Sequence, residues 1–203
     1  MLSPEEKPDE EVLATLRRAL PEEWREEPLG WPAVQAWEVE HGIVLPEPYR
    51  TLVAQISNGS ALGPPEDSGL LPLGWHSPGW THGDERDPSI LFPLEQAWFW
   101  ETDPAPSGQD REDLIDATVR NGSVLLGSSD GQDEWILITA GPLRGRVWLM
   151  CEFGACPFVR PGMRTVESQG TGFFDWMSYG SSLDGRSILE DFEWPHPTSR
   201  DSS

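Results

Sequence analysis

The apolar positions along this chain change period more than once. Val12, Leu13, Leu16 and Leu20 fall at helical spacing and predict a short amphipathic helix ended near Pro21. Glu22 to Pro28 reads as an acidic, weakly ordered link. Trp31, Val34 and Trp37 predict a second helix through His41, with Pro32 in its first turn and Gly42 just past its end. Leu45, Tyr49, Leu52, Val53 and Ile56 form the stripe of a third, with Pro46 at its start and Asn58-Gly59 as a left-handed stop.

Beyond Gly59 the period shortens. Leu70, Leu71 and Leu73, bounded by Gly69 and Gly74, suggest a short edge strand, because Pro72 cannot donate to a ladder. A polar loop over residues 76–93 follows. Leu94, Ala97, Trp98 and Glu101 predict a helix, and Arg111 to Arg120 another through Leu114, Ile115 and Val119. Three strands are then expected at Ser123 to Leu126, Glu134 to Thr139 and Arg146 to Cys151, and a fourth run, Cys156 to Val159, can pair across the turn at Glu152-Phe153-Gly154. Phe173, Phe174, Trp176 and Met177 predict a last helix. Strands grouped apart from helices indicate an α+β fold, a single domain with a mixed, largely antiparallel sheet flanked by helices.

Composition adds a core and a charge. The 203 residues include 11 Trp against only 45 Leu, Ile, Val and Phe together, so aromatic burial has to make up for a modest aliphatic content. Trp31, Trp37, Trp98, Trp135, Trp148 and Trp176 fall on apolar positions of the expected elements and are read as core rather than as a ligand cage. The formal net charge is −21. Such a surface repels phosphate backbones and anionic headgroups, so neither nucleic acid nor membrane is an expected partner, whereas a basic protein is. No apolar window approaches membrane-spanning length, and the acidic N-terminus lacks the basic and then apolar pattern of a signal peptide; a cytoplasmic location is expected.

The candidate chemistry is thin. Gly127-Ser128-Ser129-Asp130-Gly131 matches the letters of a hydrolase nucleophile elbow, but the elbow needs a helix after its serine, and Asp133 to Ile138 is a strand pattern. A hairpin turn explains the same residues. His76, His82, Asp84, Glu85 and Asp87 share a loop but lack the spacing that aims two His at one ion, so no metal set is assigned. Cys151 and Cys156 have no matching Cys or His pair and read as small cross-strand hydrophobes. No phosphate-binding loop is present. Asn58-Gly59-Ser60 and Asn121-Gly122-Ser123 match the glycosylation sequon, which matters only in a secreted protein. No catalytic residue, cofactor site or metal site is expected, and the chain is not expected to be an enzyme.

Several segments in order resemble the SMI1/KNR4 (SUKH) superfamily. They are Leu45-Pro46-Glu47-Pro48-Tyr49-Arg50 running to Asn58-Gly59, Val124 to Gly127, the Asp130-Gly131 turn, Gly145-Arg146-Val147-Trp148 and Phe173-Phe174-Asp175-Trp176-Met177. The match spans about residues 31–180 and departs at Gln132-Asp133, where that family often has Gly then Asp. It divides the chain into an acidic N-terminal extension with a short helix (1–30), an SMI1/KNR4-like domain (31–183) and an acidic tail (184–203). The resemblance implies a non-catalytic, protein-binding immunity protein that neutralises a bacterial toxin, often a nuclease, which must itself be basic to hold its substrate. The alternative is a regulatory or scaffolding domain that binds an endogenous protein. Residues 61–120 hold 12 acids against 3 bases, and from them Asp84, Glu85, Asp87, Asp103, Asp110, Glu112, Asp113 and Asp116 are the expected partner-binding face.

Overall fold

The computed structural model describes residues 5–64, 68–75, 86–106, 110–129, 133–159 and 170–180. Five α-helices, α1 (Glu10–Ala19), α2 (Trp31–His41), α3 (Tyr49–Gln55), α4 (Arg111–Arg120) and α5 (Phe173–Gly180), accompany four strands, β1 (Ser123–Ser129), β2 (Asp133–Ile138), β3 (Val147–Cys151) and β4 (Gly154–Pro157). The strands pair in sequence order, each antiparallel to the next. The fold is α+β as expected. The sheet is antiparallel rather than mixed, and its parallel element is an isolated bridge between Asp87 and Asn121.

Alternation along the strands divides two cores. Val124, Leu126, Trp135, Leu137, Val147, Leu149 and Cys156 face one side, where α1, α2, α3 and α5 supply Leu13, Leu16, Val34, Leu52, Phe173 and Trp176. Leu125, Ile136, Ile138, Trp148, Met150 and Ala155 face the other, against Leu114 of α4 and Phe92, Leu94, Trp98 and Trp100 of the strap over residues 86–106. Because both faces are covered, β3 is apolar at all five positions and wholly buried. Of the Trp residues read as core, Trp98, Trp135, Trp148 and Trp176 are buried, while Trp31 and Trp37 pack against the core from its rim.

The helices follow their end signals. Asp9 caps α1 by accepting from the Val12 amide at 2.9 Å, with Glu10 and Glu11 in the first turn and Arg17 and Arg18 in the last, matching the helix dipole at both ends. Helix α1 packs against α5, so residues 10–20 belong to the main core. Helix α2 ends at Gly42, whose φ of 66° is left-handed. Buried Glu38 accepts from the Leu45 amide at 2.8 Å and from two nitrogens of Arg50 at 2.7 and 2.8 Å. Arg50 lies over the Trp31 ring at 5.3 Å, so Leu45, Tyr49 and Arg50 of the Leu-Pro-x-x-Tyr-Arg segment lock the α2–α3 corner.

Several expectations about local structure change. Helix α3 starts at Tyr49 rather than near Pro46, because a residue before proline is pushed out of the helical region and Glu47 precedes Pro48. It also ends before Asn58-Gly59: Asn58 Oδ1 instead accepts from the Leu73 amide at 2.9 Å and joins two loops. The link over residues 22–28 is held in place, since Arg25 donates to the carbonyls of Leu20 and Arg17, both at 2.7 Å, and closes the end of α1. The expected edge strand at residues 69–75 is reduced to one ladder bond, Leu71 N–H to the Leu126 carbonyl at 2.8 Å.

The helix expected over residues 94–101 does not form. Trp98 exchanges both backbone bonds with Ala155, each at 2.9 Å, and so covers the outer edge of β4. Helical backbone cannot serve a sheet edge in this way. Trp100 Nε1 donates to the Glu152 carbonyl at 2.7 Å and fixes the strap a second time. The tail over residues 184–203 lies outside the described residues.

Candidate functional site

Six of the eight proposed acidic residues are described, and Asp84 and Glu85 lie outside the described residues. Asp110 caps α4 by accepting from the amides of Glu112 and Asp113 at 3.0 and 3.3 Å. Glu112 and Asp113 are exposed in the same turn. Asp103 joins them, because Arg111 donates to its carbonyl at 3.0 Å while its carboxylate accepts from the Phe99 amide at 3.2 Å. Asp116 pairs with Arg120 one turn further on, at 2.9 Å.

Asp87 stands apart from that group. Its amide donates to the Arg120 carbonyl and its carbonyl accepts from Gly122, which places it at the opposite end of α4, about 15 Å along the axis from Asp110 for a ten-residue helix. The Ser89 hydroxyl and amide, at 2.6 and 2.9 Å, hold the Asp87 carboxyl below the usual carboxylate range. Gly122 also lets the strap pass close by: at its φ of 67°, a Cβ would lie 2.4 Å from the Phe92 nitrogen. The expected single face is therefore an acidic end of α4, made by Asp103, Asp110, Glu112 and Asp113, with Asp116 beside it and Asp87 remote. Asp110 and Asp103 also have structural tasks, and Glu112 and Asp113 present the most open charge.

A cavity of about 320 Å³ opens at the outer edge of β1. Its walls include Trp37, Glu40 and His41 from α2, Gly74 and Trp75, and Arg86 beside Ser123, Val124 and Leu125. Trp37 and His41 stack with ring centres 4.0 Å apart, and His41 Nδ1 lies 2.8 Å from the Trp37 carbonyl. In its depth Arg86 donates to Ser123 Oγ at 3.0 Å and to Glu134 Oε2 at 2.9 Å. The two ionic side chains are only 7% and 1% exposed. Burial lowers the pKa of the guanidinium and raises that of the carboxyl, and Glu134 Oε1 has no partner among the described residues. Sequence reasoning missed this pair, although a charged residue at an inward position, two before Ile136 and four before Ile138, was its signal.

The other sequence candidates resolve without an active site being assigned. Gly127, Ser128 and Ser129 lie in β1, and Ser129 pairs with Asp133 of β2, so strand follows strand at the serine motif. Residues 130–132, His76 and His82 lie outside the described residues. Cys151 and Cys156 are free and buried on adjacent strands. Burial pushes the Cys151 thiol up to about 11 and Cys156 well above its usual value, so neither supplies a thiolate near neutral pH.

No protein-family model, curated protein or solved structure matches the chain. Among the described residues, no group of three or more His, Cys, Asp or Glu side chains is placed to hold a metal ion. No helix among them is long and apolar enough to cross a membrane.

Proposed function

We propose that this chain is a non-catalytic, cytoplasmic protein-binding domain of the immunity type, which neutralises a basic toxin domain by covering its substrate surface. The observation that carries the reading is the acidic end of α4, where Glu112 and Asp113 are exposed beside Asp103 and Asp110 in the most acidic part of the sequence. An anionic patch on a rigid helix end speeds encounter with a cationic partner and disfavours nucleic acid on the same surface. The ordered segments resembling the SMI1/KNR4 superfamily give the toxin reading its direction.

The test is co-expression with a toxin encoded beside this chain. Rescue of growth and co-purification of the two proteins are expected. The double charge reversal Glu112→Lys/Asp113→Lys is expected to slow association and flatten its salt dependence, with dissociation little changed. No rescue and no complex would sink the toxin reading, and stable capture of an endogenous protein in its place would favour a regulatory domain.

A further inference from the structure

The cavity of about 320 Å³ beside α2 gathers three aromatic rings, Trp37, His41 and Trp75, with Leu73 and Pro88 among its other walls. The rings are held in place. His41 Nδ1 lies 2.8 Å from the Trp37 carbonyl, which can only accept, so that nitrogen carries the proton, and the two rings stack 4.0 Å apart at an interplanar angle of 18°. Trp75 is set by a turn in which its amide donates to the Pro72 carbonyl at 3.0 Å. The amides of Leu73 and Leu71 tie the same loop to Asn58 and Leu126, at 2.9 and 2.8 Å. Gly74, at a φ of 78°, brings that loop against the indole of Trp37, since a Cβ there would stand 3.1 Å from Nε1. Trp75 is 39% exposed and Glu40 is exposed beside it in the lining, so the mouth opens to solvent. A concave site of this size with anchored walls is the kind that receives small molecules.

Charge then selects among them. Arg86 is the permanently charged base of the lining, and Glu134 matches it at 2.9 Å. Glu40 adds a negative charge at the rim, and Asp87 lies within electrostatic reach of His41. An anion therefore meets carboxylates and finds the guanidinium already committed. A cation meets aromatic faces, which attract it through the ring quadrupole, on a chain whose net charge of −21 gathers cations around it. A bare metal ion is not suited, because among the described residues no group of three or more His, Cys, Asp or Glu side chains is placed to hold one.

We propose that this cavity binds a small organic cation, an ammonium or guanidinium compound with an apolar body, its charge against the Trp37–His41 stack and Trp75 and its hydrocarbon against Leu73. The site needs neither the acidic end of α4 nor a protein partner.

The experiment is an NMR titration of the full chain, followed at the indole N–H signals of Trp37 and Trp75 and at the Gly74 amide. The probes are choline and its uncharged carbon isostere 3,3-dimethylbutanol, at constant ionic strength. Choline is expected to shift these signals saturably, with a Kd in the millimolar range, and the isostere to bind about tenfold more weakly. Trp75→Ala, at a partly exposed wall, is expected to weaken choline binding about tenfold without lowering Tm, and Glu40→Gln to weaken it by a smaller factor. Glu112→Lys/Asp113→Lys is expected to leave it intact, because that patch is remote from the cavity. A choline response that fails to saturate by about 100 mM, equal affinity for the isostere, or undiminished binding in Trp75→Ala would each overturn the proposal. A failure here leaves the co-purification test standing, and a failure there leaves this one standing.

Discussion

The two faces of the sheet each bury an arginine–carboxylate pair, and the pairs are opposites in detail. On the side of α2 and α3, Glu38 has both oxygens occupied, and its partner Arg50 keeps a quarter of its side chain in solvent. The hydrogen bonds from Arg50 to Glu38 raise the pKa of that guanidinium. On the strap side, Arg86 and Glu134 are both almost completely enclosed, one carboxylate oxygen has no partner among the described residues, and burial shifts both groups toward their neutral forms. Charge pairing is similar in the two places. Access to water and completion of the hydrogen bonds decide which pair sits easily in the fold.

Breaking each pair from its arginine side separates the two cases most widely. Arg86→Met leaves a buried carboxylate alone and should cost about 3–5 kcal/mol in denaturant unfolding, whereas Arg86→Met/Glu134→Leu should recover most of that loss. Arg50→Met should cost less, about 1–3 kcal/mol, because Glu38 keeps the Leu45 amide and the guanidinium it loses is itself a quarter exposed. Equal losses at the two arginines would erase the distinction.

Titration sharpens the same contrast. Glu134 should titrate above the ordinary glutamate range by carboxyl-carbon NMR, and Arg86→Met should raise it further, since the Arg86 charge and hydrogen bond act to lower it. The folded state then binds this proton more readily than the unfolded chain. Its contribution to stability should therefore grow as pH falls through the raised value toward 4.5, and should be lost as pH rises back through that window. Asp87 has the opposite sign: its lowered pKa adds stability above 3.8 that is lost as pH falls through the lowered value. A smaller effect is expected at Asp110, where loss of the cap in Asp110→Ala should cost about 1 kcal/mol by thermal unfolding. The smallest is at Glu10–Arg17 on α1, an exposed pair expected to contribute about 0–1 kcal/mol in a double-mutant cycle.

The same two sides differ in how far the sequence foretold them. On the first, Val12, Leu16, Val34 and Leu52 repeat at helical spacing between clear caps, so α1, α2 and most of α3 were legible from local pattern. The four strands were legible because Trp135 and Leu137 alternate with Ile136 and Ile138. The strap was not. Leu94 and Trp98 have the spacing of a helix, but the backbone of Trp98 serves Ala155, more than fifty residues away, and no local period encodes that pairing. The candidate sites followed the same rule. The acidic end of α4 could be read from its cap and its first turn, whereas the Arg86–Glu134 pair depends on a partner 48 residues distant.

The contact between α1 and α5 also orders events in time. Ala19 precedes Phe173 by 154 positions, so at synthesis rates of about 5–20 residues per second α1 leaves the ribosome roughly 8–30 s before the helix it packs against. During that interval Leu13, Leu16 and Leu20 lack their final neighbours, and a nascent chain stopped before Phe173 carries an unsealed core. Chaperones that recognise exposed leucine should therefore hold such arrested chains and release the full-length one.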